Sequence, residues 1–351
     1  MMKTDVAIIG GGIAGLWCAY ELSRLGFRSV IVEQDTHLGG HVAFYCCKAT
    51  DKCQRCGACL LEDVLDTIQS SDKISYRLKT SISHVERSNG SFRLRLLGLE
   101  GAGDEISVDA SSIILATGFK PFDAGEKPRF GYGRVKGVIT GFELDQMLRA
   151  DNFDFNEGEK PLRSVAFIQC VGSRDPRIGR NYCSRVCCGY ALRLARLLRN
   201  RFPEIEPSMF YMDIQTFDRD FEHRLEIARK EVRLIRAIPA EIRSGSDGRP
   251  ELIYHGPNDE KLYESFDMVV LSIGISPNPA VAGLAQLLEV PLNEDAFLGV
   301  NGDKVTTGSS GVFVAGAAQG PKSIEESVSH AILTAANVAS YLNRSGQGDK
   351  S

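Results

Sequence analysis

The feature that most constrains this chain is a glycine turn set directly between a strand and a helix near its start. The order is strand (Asp5-Val6-Ala7-Ile8-Ile9), turn (Gly10-Gly11-Gly12-Ile13-Ala14-Gly15), helix (Leu16 to Leu25) and strand (Ser29 to Glu33). Gly10, Gly12 and Gly15 form G-x-G-x-x-G: the first permits the tight turn, the second lets backbone approach a pyrophosphate, and the third allows close helix–strand packing. The phosphates would rest at the positive end of the helix. Glu33, at the end of the second strand, is placed to accept a ribose 2′-hydroxyl; the plain alternative is a solvated strand-end charge. Apolar Ile13, Leu16, Trp17, Tyr20 and Leu25 recur at helical spacing as the face expected to pack on a sheet, and Gly26 ends the helix.

At 351 residues the chain can hold two domains, or one domain with an insertion. A net charge of −4 without a long basic block argues against nucleic acid and anionic membrane surfaces as partners. No apolar run approaches the length of a bilayer span, so direct membrane insertion is not expected. The first strand begins almost at Met1, so no secretory leader is expected either. Ten cysteines without an export signal point to metal or redox chemistry in a reducing cytoplasm.

Further strands are expected at Ser75 to Leu78, Ser91 to Leu97 and Ile113-Ile114-Leu115. Pro121 and a loop to about Pro161 precede a second βα unit that starts at Ser164. It continues through a strand near Met209 to Met212, a helix near Glu222 to Val232 and short strands to about Tyr254. Met268 to Gly274 echoes Ile113 to Gly118, both reading as strands that return to a cofactor crossover. A long helix spans Ser323 to Leu342, and Asn343 to Ser351 reads as a disordered tail. The expectation is an α/β chain with two Rossmann-like dinucleotide-binding domains. Residues 1–122 and 264–351 form the first, and residues 160–263 form the second, inserted domain.

The second βα turn is unlike the first. Gln169-Cys170-Val171-Gly172-Ser173-Arg174 resembles in position the turn at which the second domain of the pyridine-nucleotide disulfide oxidoreductases repeats G-x-G-x-x-G to seat NAD(P)H. With Cys183, Cys187 and Cys188 it gives Cys-x12-Cys-x3-Cys-Cys. Soft thiolates grouped at a strand end and a helix start suit an iron–sulfur cluster; buried structural cysteines are the plain alternative. A cluster there would occupy the pyrophosphate position, so electrons would pass singly rather than as a hydride. A second group, Cys46, Cys47, Cys53, Cys56 and Cys59, admits four readings: a further cluster, a redox disulfide, a zinc site, or a cysteine-rich loop at a partner surface. Cys18, among apolar neighbours, reads as core.

Leu38-Gly39-Gly40-His41-Val42, Ala116-Thr117-Gly118 and Gly311-Val312-Phe313-Val314-Ala315-Gly316 together resemble the FAD-binding half of thioredoxin-reductase-like flavoproteins. That family usually continues the third segment with Gly-Asp. Here Gly316-Ala317-Ala318 lacks the aspartate, so backbone amides and the start of the Ser323 helix are expected to do more of the holding. Lys322 reads either as a flavin contact or as a loop charge, and His330 as a core histidine. Candidate cofactor contacts are Gly10, Gly12, Ile13, Ala14, Gly15, Glu33, Gln34, Gly40, His41, Val42, Ala116, Thr117, Gly118, Gly316, Ala317 and Lys322.

The whole chain resembles the A subunit of heterodisulfide reductase. The most specific parts are Phe167 to Arg174, Tyr182 to Cys188, Tyr211-Met212-Asp213-Ile214 and Phe313 to Lys322. The resemblance implies an oxidoreductase subunit with FAD and a [4Fe–4S] cluster on Cys170, Cys183, Cys187 and Cys188. It also implies a homodimeric core and partner subunits of a heterodisulfide-reductase-like complex. The short form is similar to the subunit found in sulfur-oxidising bacteria, and also to the flavoprotein of quinone-interacting complexes. The rival activity is an NAD(P)H-dependent flavoprotein disulfide reductase using the Cys53 to Cys59 loop.

Overall fold

The computed structural model describes residues 2–88, 90–99, 106–150, 161–215, 217 and 221–348. The chain divides into two compact units. One comprises Met1–Ala43, Gly57–Lys120 and Pro277–Ser351; the other comprises Phe44–Cys56 and Pro121–Ser276.

In the first unit, β1 (Met2–Ile9), β2 (Ser29–Val32), β3 (Ile74–Arg77), β4 (Thr80–Ser88), β5 (Ser91–Gly98) and β6 (Ile106–Leu115) order as β3-β2-β1-β6-β5-β4. β17 (Val312–Val314) lies parallel to the carboxyl end of β6. β3, β2, β1 and β6 are mutually parallel, whereas β4 and β5 form an antiparallel extension. The sequence reflects this division. Val6 to Ile9 and Ile113 to Leu115 are unbroken apolar runs buried on both faces, as central parallel strands require. β5 alternates exposed and buried along Ser91 to Leu97, the signature of a sheet with one wet face.

Helix α1 (Ile13–Arg24) packs against α7 (Ile324–Gly348), and α2 (Glu62–Ser70) packs beside α1. The buried face of α1 is only partly the expected one. Ile13 and Leu16 are buried as read, together with Ala14, Gly15, Cys18, Ala19 and Leu22, whereas Trp17 and Tyr20 are half-buried and Leu25 is exposed. Gly15 draws the helix close to the strand end, so small residues face inward. The Trp17 indole instead donates to the Leu60 carbonyl at 3.1 Å. Gly26, at φ +96°, ends the helix as read: its N–H bonds Ser23 O and that of Phe27 bonds Leu22 O.

The second unit is built on an all-parallel sheet ordered β11-β10-β9-β15-β8. Its strands are β8 (Val138–Thr140), β9 (Ser164–Val171), β10 (Glu206–Phe210), β11 (Arg233–Ile235) and β15 (Met268–Ile273). Alternate residues serve two cores. Val165, Phe167, Met209 and Val270 pack with α3 (Gly141–Arg149), α4 (Cys187–Arg201) and α5 (Phe221–Glu231). Ala166, Ile168, Phe210, Val269 and Leu271 pack with Ile242, Leu252 and Tyr254. Those last residues belong to an antiparallel ribbon of β12 (Glu241–Ser244), β13 (Pro250–His255) and β14 (Lys261–Ser265). β7 (Phe119–Pro121) and β16 (Ile275–Pro277) lie where the chain leaves the first unit and returns, and α6 (Val281–Leu287) follows.

Three expectations are corrected. The stretch after Pro121 is not simply loop, because it contains β8 and α3; Thr140 and Glu143 form a reciprocal capping box that starts α3. Residues 151–160 of that expected loop lie outside the described residues. The strand placed near Met209 to Met212 is Glu206–Phe210. Helix α7 continues through the expected tail to Gly348, its length carried by packing upstream; residues 349–351 lie outside the description.

A Cβ on Gly15 would collide with the Gly10 carbonyl oxygen, whereas one on Gly283 in α6 meets nothing. Gly15→Ala is therefore expected to cost about 1–3 kcal/mol. Gly283→Ala is expected to be neutral or stabilising by up to about 1 kcal/mol. Equilibrium denaturation of the two variants checks the contrast.

Candidate functional site

The turn after β1 is held from beneath by Glu33. One carboxylate oxygen accepts the Gly11 N–H at 2.6 Å and the other the Asp35 N–H at 2.8 Å, and the residue is only 6% exposed. Glu33 is thus no solvated strand-end charge. It braces the turn, and each oxygen keeps a lone pair for another donor. Gly10, at φ +109°, lies so close to Ala116 that a Cβ would strike its carbonyl. Gly12, by contrast, has nothing within 4 Å of where a Cβ would stand. It bridges to Gly39, and Gly40, at φ +54°, lies against its Cα. Ile13 and Ala14 are buried at the helix start, Val42 is buried, and the Gln34 side chain is exposed.

The second side of this cradle comes from the end of β6. Gly118, at φ +64°, also opens on empty space, and the buried Thr117 hydroxyl has no hydrogen-bond partner among the described residues. The Asn278 side chain holds the Thr117 carbonyl at 3.1 Å. His41 Nε2 lies 3.0 Å from the Phe119 carbonyl, and the two rings stack at a tilt. An open glycine approach beside an orphaned hydroxyl fits a bound dinucleotide such as FAD.

Two of the amides expected to compensate for the missing aspartate are already engaged. The Gly316 N–H donates to His330 Nδ1 at 2.9 Å, and the Ser323 N–H donates to the Glu326 carboxylate at 2.8 Å in a capping box. His330 Nε2 lies 2.8 Å from the Lys304 carbonyl. Burial lowers its pKa, so the ring is a neutral, satisfied core histidine. Ala317 is buried, and Lys322 pairs with the Gln319 side chain.

In the second unit the turn after β9 is closed rather than open. Gly172, at φ +81°, is covered by the Phe122 ring: a Cβ there would overlap it. Sequence reading missed Phe122, 2% exposed, as the residue that covers this turn, since a buried phenylalanine after Pro121 carries no signal of its own. Around this turn three non-glycine residues hold positive φ, namely Cys170 (59°), Arg174 (54°) and Arg185 (62°). Such strain concentrates where function fixes the backbone. Buried Ser173 and Ser184 pin the loops together, their hydroxyls 2.9 Å apart, and Ser184 Oγ accepts the Ile275 N–H at 2.8 Å.

The four cysteines interact electrostatically. Burial first, and then Cys188 and Cys183, push the Cys170 thiol up to about 11. Cys187 is raised well above the usual thiol range by burial and the other three, and Cys188 is raised chiefly by burial. Thiols raised in this way ionise together only if a cationic group joins them. The Arg185 N–H reaches Cys183 Sγ at 3.3 Å, and a backbone N–H of Gln215 bonds Cys188. No three His, Cys, Asp or Glu side chains among the described residues are arranged to hold a single metal ion. A multi-iron cluster spaces its thiolates more widely than one ion does, and the donor set, four thiols with backbone N–H···S bonds, fits that group.

Four of the five cysteines of the first group, Cys46, Cys47, Cys53 and Cys56, are carried by a strap, Phe44–Cys56, that belongs to the second unit, whereas Cys59 belongs to the first. Lys48, 2% exposed, pairs with fully buried Asp145 of α3 at 2.7 Å. Its ammonium lies 5.0 and 5.2 Å from the rings of Tyr45 and Tyr190. Asp145 also accepts the Cys46 N–H at 2.8 Å and the Tyr190 hydroxyl at 2.6 Å. Gln54 Nε2 donates to the Lys48 carbonyl at 2.5 Å, while Arg193 of α4 donates to the Gln54 and Arg55 carbonyls, each at 3.0 Å. Cys46 is buried with its thiol pushed up to about 12 by burial and by Asp145, whereas Cys47 and Cys53 are exposed. None of the ten cysteines is in a disulfide. Cys18 is core, as read.

A family model described as pyridine nucleotide-disulphide oxidoreductase matches residues 4–159. The A subunit of the H(2):CoB-CoM heterodisulfide,ferredoxin reductase of Methanothermobacter marburgensis is 29% identical, aligning with 95% of this chain and 63% of its own length. An iron-sulfur A subunit of the CoB--CoM heterodisulfide reductase of Methanopyrus kandleri is 28% identical, over 97% of this chain and 65% of its own length. The A subunit of the Methanococcus maripaludis H(2)/formate:CoB-CoM heterodisulfide,ferredoxin reductase reaches 35% over 67% of this chain and 38% of its own. The chain therefore spans under two thirds of these relatives. Among solved structures, thioredoxin reductase of Lactococcus lactis superposes with a TM-score of 0.63 at 16% identity, covering 97% of this chain and 100% of that one. That of T. acidophilum gives 0.62 at 17%, covering 97% and 99%. The fold is that of the thioredoxin-reductase-like flavoproteins.

Removing one partner of a buried ion pair strands the other charge. Lys48→Met or Asp145→Asn alone is expected to cost about 3–5 kcal/mol, and the double variant less than the sum. Alkylation of Cys46 under native conditions should rise in each single variant; unchanged protection would contradict the clamp.

Proposed function

From an oxidoreductase of flavoprotein fold, related over most of its length to heterodisulfide reductase A subunits, we propose an electron-transfer subunit carrying FAD and one [4Fe–4S] cluster. The observation that carries this reading is the contrast between two turns: Gly12 faces open space, whereas Gly172, two residues after Cys170, is closed by Phe122. FAD takes up two electrons and can release them singly, and an iron–sulfur cluster passes one at a time.

The chain's residues divide this work. Gly10, Gly12 and Gly15 admit the pyrophosphate, Glu33 braces their turn and accepts the ribose, and Thr117 offers the orphaned hydroxyl. Cys170, Cys183, Cys187 and Cys188 ligate the cluster, with Arg185 and Gln215 donating N–H bonds to two of their sulfurs. Phe122 excludes a nicotinamide nucleotide from the turn after β9.

Sulfur substrate is handled by partner subunits of a heterodisulfide-reductase-like complex, in dissimilatory sulfur oxidation, around a homodimeric core. A flavoprotein role in a quinone-interacting complex uses the same residues with a different partner. No helix among the described residues is long and apolar enough to cross a membrane. Cysteines outside any disulfide accord with a reducing cytoplasm. The rival reading, an NAD(P)H-dependent disulfide reductase, draws on the same family model and structural neighbours but must seat its nucleotide against Phe122.

Protein purified without oxygen is expected to contain FAD together with iron and acid-labile sulfide. Cys183→Ala and Cys187→Ala are expected to lose the iron and keep the FAD. NADPH is expected to leave the flavin yellow on the timescale of turnover. Iron-free wild-type protein, or rapid bleaching by NADPH, would overturn the reading.

A further inference from the structure

One ion pair in the second unit joins two loops that leave its parallel sheet. Arg174, in the turn after β9, meets Asp213, in the loop after β10, through both arms of its guanidinium; the second arm is 3.2 Å from the carboxylate. The two loops leave the carboxyl ends of paired, parallel strands, the edge on which sheets of this kind bind their ligands. Each loop also carries a cysteine contact. Arg174 lies four residues beyond Cys170, and two residues beyond Asp213 the Gln215 backbone bonds Cys188. The pair therefore joins the loop that begins at Cys170 to the loop whose backbone bonds Cys188.

Its bidentate geometry fixes the guanidinium in one orientation. Arg174 holds a left-handed backbone at φ +54°, fixed by its N–H to the Tyr182 carbonyl at 3.0 Å. The side chains of Arg174 and Asp213 are 28% and 43% exposed, a setting in which ion pairs add little to stability. Strain spent to hold a half-buried arginine at one spot calls for another reason. Position offers one: Arg174 shares its turn with Cys170 and its N–H is bonded to Tyr182, the residue before Cys183, while Asp213 lies two residues before Gln215, whose backbone bonds Cys188. The Arg174 hydrogen bond keeps Asp213 below the usual carboxylate range, and Arg236 adds to this.

We propose that the Arg174–Asp213 pair sets the reduction potential of the cluster held by Cys170, Cys183, Cys187 and Cys188. The proposal rests on the reading that these cysteines bind a cluster. Reduction adds one negative charge to the site. A neighbouring cation stabilises the reduced form and raises the potential; a neighbouring carboxylate does the reverse. Paired, the two charges nearly cancel at the site, and the guanidinium stays fixed near the sulfurs without its full charge acting on them.

The test uses full-length protein prepared without oxygen, with iron and acid-labile sulfide assayed first and the cluster midpoint then read by a redox titration followed by electron paramagnetic resonance. Asp213→Asn leaves Arg174 uncompensated and should shift the midpoint positive. Arg174→Gln leaves Asp213 uncompensated and should shift it negative, and the double variant should return toward wild type. Shifts in the same direction, or none, with cluster content retained would overturn the proposal. Loss of the cluster in both single variants would also overturn it, because the pair would then hold the cluster rather than tune it. Wild-type protein without iron and sulfide would instead overturn the underlying reading.

Discussion

The constraint on which the candidate sites depend is the tight turn that a chain must make on leaving a parallel strand for a helix. Such a turn presents backbone N–H groups at the carboxyl edge of the sheet, and what fills the space above it decides the chemistry. After β1 the space is kept clear by glycine: Gly12 faces nothing, and Gly15 lets α1 press against Gly10. After β9 the corresponding space is taken by the Phe122 ring, and the strand end carries Cys170 in a left-handed conformation. Both units place a strand and its following turn at the carboxyl edge of a parallel sheet, and at that turn they differ. One turn is an open glycine turn and the other a covered, cysteine-bearing one.

The second unit invests its buried polar interactions in fixing cysteine-bearing segments. Ser173 and Ser184 tie the turn after β9 to the segment that leads into α4. Lys48, Asp145, Tyr190 and Gln54 bind the strap to α3 and α4, the latter being the helix that begins with Cys187 and Cys188. A buried charge pair is an expensive fastening unless every donor is met, and here the carboxylate serves the Lys48 ammonium, a phenol and a backbone N–H. The strap repeats a detail of the thiol site. Cys53 Sγ accepts the Arg55 N–H at 3.4 Å with Arg55 left-handed, as Cys183 does from Arg185.

Much of this was legible in the sequence, for physical reasons. The strand–glycine–helix order and the apolar runs at Val6, Ile113, Ser164 and Met268 fix both parallel sheets, because strands buried on both faces have no polar side to disguise them. What escaped reading depends on partners distant in the chain. Lys48 reads as a surface charge until Asp145, ninety-seven positions away, is folded against it. Leu25 reads as core by its spacing, yet the close approach imposed by Gly15 turns small residues inward. The capping box Thr140-Gly141-Phe142-Glu143 was readable and would have revealed α3. The cover that Phe122 places over Gly172 was not, since nothing local distinguishes that phenylalanine from any other buried ring.

The central claim is that one-electron chemistry stands where a nicotinamide would bind. An anaerobic redox titration of the purified protein, followed together by visible absorption and electron paramagnetic resonance, tests it most directly. The account predicts an iron–sulfur signal that appears on reduction, accompanies flavin bleaching and vanishes in a Cys170→Ala variant. Flavin bleaching with no iron–sulfur signal at any potential would contradict it.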